Sequence, residues 1–219
     1  MRNLIYFKVP KCAGSAMLNL VYRSLPVSAI LDYRSANVLN SDTGRYELRY
    51  PTPSPSDLEG IYFVFFVDVD SAIHFRNNYP DYWDNALRFA IVRNCYQKML
   101  SSWFYCPTTR SRTLEVALSN PPAGGHDYIH FTLPQTSFVA HEGKLLPEYI
   151  IRMENLWLEL GSLLEESELP ILISDMKPVN VTSGKPIDAD KFLTSEVVSL
   201  INEKYHADFE LLGYNKLDS

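Results

Sequence analysis

Short apolar runs alternate along the chain with stretches of helical periodicity. Residues 4–9 are mostly apolar and stop at Pro10, the pattern of a buried strand. A tight turn of Lys11, Cys12, Ala13, Gly14 and Ser15 follows. Over residues 16–25 the apolar positions fall at Met17, Leu20, Val21 and Leu25, a helical spacing that Pro26 ends. Residues 61–67 are continuously apolar, as expected of a strand covered on both faces in a parallel sheet. Residues 88–92 read as a third strand that ends at Arg93, and residues 96–105 as a helix with Met99, Leu100 and Trp103 on one side. A fourth strand is expected over 149–153. Leucines 156, 160, 163 and 164 predict a helix over 156–166, and Val197, Val198, Leu200 and Ile201 predict another over 194–206.

The intervening segments are polar. Residues 33–60 are rich in Ser, Asn, Pro and Tyr, and Pro51, Pro53 and Pro55 argue against a helix there, so an extended loop over a site is expected. Residues 106–147 and 174–190 are likewise read as loops. The alternation of strands and helices predicts an α/β fold, with a mainly parallel central sheet in an α/β/α sandwich. With 219 residues and 46% hydrophobic content, one domain spanning 1–219 is expected.

Charge narrows the partners. There are 20 Lys+Arg against 26 Asp+Glu, for a net charge of -6, a poor field for duplex nucleic acid or a heparin-like polymer. Cys12, Cys95 and Cys106 are odd in number and lack a Cys-x-x-Cys spacing, so reduced thiols are expected rather than a disulfide framework or zinc site. No stretch approaches the ~20 apolar residues of a spanning helix. The first apolar run is too short for a signal peptide, so a soluble, cytoplasmic molecule with no membrane partner is expected. The acceptor pattern at Asn180 then has no glycosylation role.

Ligands of open parallel sheets bind beyond the carboxyl ends of the strands. Three features fall there: the turn 10–15, the acidic pair Asp68 and Asp70, and Arg93. A strand-to-helix turn offers backbone N–H groups and a helix N-terminus to a phosphate, and Lys11 and Ser15 add a charge and a hydroxyl. The spacing of an ATP-type phosphate loop is absent. Arg93 at a helix mouth and Ser101 two turns later offer a second phosphate a guanidinium fork and a hydroxyl.

The segment from Ile5 to Ser15 resembles the 5′-phosphosulfate loop of sulfotransferases that use 3′-phosphoadenosine 5′-phosphosulfate (PAPS), in the branch of the carbohydrate (family 2 type) enzymes, as a soluble bacterial-like member. Residues 89–101 resemble that family's 3′-phosphate segment, an apolar strand, then Val92-Arg93-Asn94, then Ser101. Arg152, Met153, Glu154, Asn155 and Leu156 resemble an Arg-Phe-Glu-Asn-Leu stretch, and Tyr205, Asp208, Gly213 and Tyr214 its closing signature. These segments follow family order from residue 4 to 214.

The resemblance implies a P-loop-like fold and transfer of a sulfuryl group to a hydroxyl or amine of a small-molecule or carbohydrate acceptor, releasing adenosine 3′,5′-bisphosphate (PAP) without a metal. Lys11 would contact the phosphosulfate, the amides of Cys12, Ala13, Gly14, Ser15 and Ala16 would cradle it, and Arg93 and Ser101 would hold the 3′-phosphate. Lys8 stands where the family often has histidine, Ala16 where it often has a hydroxyl residue, and Cys95 replaces a common proline. The proton acceptor is then sought among Asp68, Asp70 and His74, Asp68 first. His126, His130 and His141 lack zinc-ligand spacing, and their loop is read as a cover for the acceptor. Gln135 in that loop is a candidate contact to acceptor or adenosine, and Lys177, Asn180 and Lys185 are minor nucleotide candidates. Trp83, Trp103 and Trp157 are read as core. The alternatives are an ATP-dependent small-molecule kinase and a non-catalytic nucleotide-binding protein.

Overall fold

The computed structural model describes residues 1–40, 45–177 and 189–218. The first half of the chain runs β1 (Leu4–Phe7), α1 (Gly14–Ser24), β2 (Ile30–Asp32), β3 (Ala36–Asn40), β4 (Arg45–Arg49), α2 (Pro55–Leu58), β5 (Phe63–Phe66), α3 (Val69–Asn78), α4 (Pro80–Asn85), β6 (Leu87–Val92) and α5 (Cys95–Tyr105). Short helices follow: α6 (Pro107–Arg110), α7 (Leu114–Ser119), α8 (Gly125–Asp127), a π-helical turn (Tyr128–Thr132) and α9 (Thr136–Val139). The strand pair β7 (Ala140–His141) and β8 (Lys144–Leu145) leads to β9 (Tyr149–Arg152), α10 (Leu156–Ser167), α11 (Ser195–Lys204) and α12 (His206–Leu212).

The central sheet has five strands in the order β2-β5-β1-β6-β9. Every pairing in it is parallel, with Leu4 of β1 opposite Phe63 on one side and Leu87 on the other. Helices flank it in a three-layer α/β/α arrangement, as the alternation of elements predicts. All four residues of β1 and of β5 are buried, which is why those runs are apolar at every position. Tyr6 stacks on Phe89 across the sheet with ring centroids 4.9 Å apart. The chain leaves β1 towards β2 and β5, and leaves β6 towards β9 on the other side. The reversal between β1 and β6 makes their carboxyl ends a topological switch point, where ligands of such sheets bind.

Several loops expected from the sequence carry structure. Within 33–60, β3 and β4 pair antiparallel, and β2 just ahead adds an edge strand to the central sheet. Three residues, none fully buried, are too few for β2 to show a period. Pro55 begins α2 rather than blocking it, because the first helical position needs no N–H. Ser54 and Asp57 form a reciprocal capping box around it. The segment 106–147 holds four short helices, the π-helical turn and the pair β7–β8, all too short for a hydrophobic stripe. Helix 194–206 breaks at Tyr205 into α11 and α12. Trp83 and Trp103 are core, whereas Trp157 is 57% exposed. No described helix is long and apolar enough to cross a membrane.

Candidate anion-binding site

Beyond β1 the backbone changes hand twice. Lys11 has φ 66° and Ala13 φ 57°, both in the left-handed region that disfavours side chains. Each such residue costs about 1–2 kcal/mol relative to a right-handed one. Strain of this kind persists where the surroundings impose it, and it gathers at ligand clamps. Alternating hands turn successive N–H groups to the same side, which makes a concave cradle for an anion. Ala13 is the N-cap of α1 and makes no side-chain capping hydrogen bond. A Cβ on Gly14 would lie 3.0 Å from Lys8 Cγ and 3.2 Å from Lys8 Cε. Glycine there lets the Lys8 stem lie across the turn.

Arg93 follows β6, the strand beside β1, so it stands near the turn at the same end of the sheet. Burial pushes the Lys11 ammonium below its ordinary value, and the charge of Arg93 pushes the same way. Burial, then the charge of Arg34, does the same to Lys8. Among the described residues, no carboxylate forms an ion pair with Lys8, Lys11 or Arg93. Three unpaired cations at one sheet edge, in a chain of net charge -6, are an arrangement that an anion would complete. Ser101, on the same helix as Cys95, is buried, and its hydroxyl makes no hydrogen bond among the described residues.

The later segments build scaffolding around Arg93 and Asn94. Glu154 accepts from the Asn94 N–H at 2.7 Å and from the Tyr214 hydroxyl at 3.0 Å. Arg152 donates to the carbonyls of Leu212 at 3.2 Å and Gly213 at 2.8 Å. Gly213 has φ 67°, and a Cβ on it would come within 3.1 Å of that guanidinium. Asp208, 1% exposed, accepts from the backbone N–H groups of Gln135 and Thr136 and from the Thr136 hydroxyl, at 2.8–2.9 Å. Gln135 is fully buried with its amide bonded to backbone, so it cannot touch acceptor or adenosine as the sequence reading expected.

Across from the cradle stands a ring cluster. The Lys11 ammonium rests 3.5 Å above the Tyr105 ring centroid. Tyr105 is 5.2 Å from the His130 ring and 5.4 Å from the His126 ring, centroid to centroid. His130 lies in the π-helical turn, an irregularity frequent at functional sites. Its Nδ1 is buried without a hydrogen-bond partner, as is the Tyr6 hydroxyl, which lies 3.5 Å from the position of a Cβ on Gly14. Two orphaned polar atoms therefore border one turn. Sequence spacing gave no sign of His130, because its neighbours come from other elements; only the histidine-bearing loop as a whole was legible.

Burial pushes His130 down to about 4, helped by the charges of His126, Lys11, Lys98 and Lys8. It is therefore neutral at pH 7. Since the unfolded chain takes a proton there nearer 6.5, the folded protein loses stability as pH falls from about 6.5 towards 4. His130→Asn is expected to flatten this decline, read as Tm against pH; an unchanged slope would mean that the ring is solvated.

The other expected bases have different surroundings. Asp68 is the N-cap of α3, and its two oxygens accept from the Ser71 N–H at 2.7 Å and hydroxyl at 2.9 Å. Asp68→Ala is expected to lower stability by about 1 kcal/mol, measured by denaturant unfolding. Asp70 is exposed in the first turn of the same helix. His74 stacks on Tyr50 with centroids 4.0 Å apart, and its Nδ1 meets the Tyr33 hydroxyl at 2.8 Å. Lys177 is exposed, and Asn180 and Lys185 lie outside the described residues. No cluster of three or more metal-ligating side chains occurs among the described residues. No protein-family model matches the chain, and no curated protein matches it either, so what the site can do is read from its own geometry.

Proposed function

We propose that the chain is a PAPS-dependent sulfotransferase acting on a hydroxyl or amine of a small-molecule or sugar acceptor and releasing PAP. The observation that carries this reading is two separate groups of anion-binding character that meet at the carboxyl ends of neighbouring strands. One is the left-handed turn with Lys11, and the other is Arg93 with Ser101. A ligand with phosphates at two ends satisfies both.

The N–H groups of the turn and Lys11 would hold the 5′-phosphosulfate, and Arg93 and Ser101 the 3′-phosphate. PAPS supplies the sulfuryl group. As the bond from sulfur to the phosphate oxygen breaks, charge grows on that oxygen, and fixed amides with a poorly solvated ammonium stabilise it best. The acceptor loses its proton as its own bond to sulfur forms. We assign that proton to the neutral, half-buried His130 ring, which lies beside the Lys11–Tyr105 pair. Asp68 is engaged in capping α3 and His74 is bonded to Tyr33, so each would first have to give up a contact.

Calorimetry on the wild type and Arg93→Ala tests the reading. PAP is expected to bind better than ATP with Mg²⁺, and the substitution to weaken PAP by about ten- to a hundredfold, the value of a charged hydrogen-bonded contact. A preference for ATP with Mg²⁺ would favour a kinase. Tight PAP binding without transfer to any acceptor would favour a non-catalytic nucleotide binder.

A further inference from the structure

One buried amide touches both halves of the site. Gln135 Oε1 accepts from the Arg93 N–H at 2.9 Å and from the Cys12 thiol at 3.2 Å. Its Nε2 donates to the Arg93 carbonyl at 2.8 Å. The flip of the amide is fixed by these partners, since the oxygen faces two donors and the nitrogen faces a carbonyl. Cys12 lies inside the turn between the left-handed residues Lys11 and Ala13, and burial holds its thiol up at about 12, so it stays a protonated donor. Gln135 is itself anchored from behind, through its own N–H, by Asp208.

We infer that Gln135 is a positioning residue that fixes the span between the cradle and Arg93, and so selects ligands that carry an anion at each end. The inference rests on the proposed function, because it takes the two segments to hold two ends of one ligand. It adds a role that neither segment has alone. Without the amide, each segment keeps its own donors, but the distance and angle between them are free to vary. A ligand that engages one segment loses little from this. A ligand that bridges both loses the preorganised span.

The test compares PAP, which has both phosphates, with adenosine 5′-monophosphate, which has only the 5′ end. Dissociation constants are measured by calorimetry on the full chain, well below the Tm of each variant. Gln135→Met keeps the volume and removes the side-chain hydrogen bonds to Arg93 and Cys12. It is expected to weaken PAP by about tenfold, about the worth of one ordinary hydrogen bond, and the monophosphate by much less, so that the selectivity ratio falls. Gln135→Glu serves where the Met variant folds poorly. It keeps both bonds to Oε1 but sets a second carboxylate oxygen against the Arg93 carbonyl. Its selectivity ratio, normalised to that of the wild type at each pH, is expected to be low at pH 8 and to recover towards pH 5 as the buried carboxyl regains a proton to donate.

Equal weakening of both ligands, or an unchanged ratio in both variants, would overturn the inference and leave Gln135 an ordinary buried amide. A wild type that does not prefer PAP over the monophosphate would instead overturn the two-anion reading of the site, a result visible before any variant is made.

Discussion

On the proposed sulfotransferase reading, Lys11→Ala is expected to cut sulfuryl transfer by about a hundred- to a thousandfold, the usual loss when one group that stabilises transition-state charge is removed. PAP binding should fall by about tenfold or less, because the turn amides and Arg93 remain. The asymmetry follows from where the charge is needed. In the bound donor the leaving phosphate shares its charge with the sulfuryl group, and only as the bond breaks does a full extra charge collect on the bridging oxygen. A half-buried ammonium, already pushed down by burial and by Arg93, responds strongly to that charge. Its resting contact is a ring face rather than a carboxylate, so no ion pair has to be broken first. Turnover and PAP affinity measured on one preparation decide the matter; equal losses in both would make Lys11 a binding residue only.

Asp208→Ala is expected to be the most damaging single change to stability, by about 3–5 kcal/mol. It strips the acceptor from three donors at once, two of them backbone N–H groups at the start of α9. It also removes a compensating charge from a buried cation. Lys98 is 1% exposed, burial pushes its ammonium down, and the charge of Asp208 pulls it back up. For a chain of this size the cost corresponds to a Tm lower by roughly 10 °C. Glu210→Ala, two residues on, removes only an exposed pair with His206 and should change Tm by less than about 2 °C. Thermal unfolding of the two variants side by side is the measurement. Similar Tm values would mean that water replaces the carboxylate at Gln135 and Thr136.

The central strands were legible because burial on both faces leaves an unbroken apolar run, as in residues 63–66 and 87–92. The edge strand β2 was not, since three half-buried residues carry no pattern. The turn at Lys11 was legible as chemistry through its residue types, but its left-handed backbone was not, because Lys and Ala do not advertise that conformation as glycine does. The tail segments were recognised by order and residue type alone. Their physical work is to hold Arg93 and Asn94 through Glu154 and Tyr214, a matter of tertiary distance. Gln135 was singled out for the wrong reason, because a polar residue in a loop is read as exposed until packing closes over it.

The bonds that frame the site join distant parts of the chain, and this sets an order of events during folding. Helix α1 is local and can form early, but the left-handed turn before it is held through Cys12 by Gln135. Arg93 acquires its fixed place only through residues 135, 154, 208 and 214. A wholly parallel sheet already demands long-range pairing, which slows folding because chain entropy is lost before contacts compensate for it. On a growing chain neither the cradle nor its partner arginine is therefore set until the later segments arrive. A nucleotide needing both would bind only to the finished fold, and would shift the last folding step rather than guide the first.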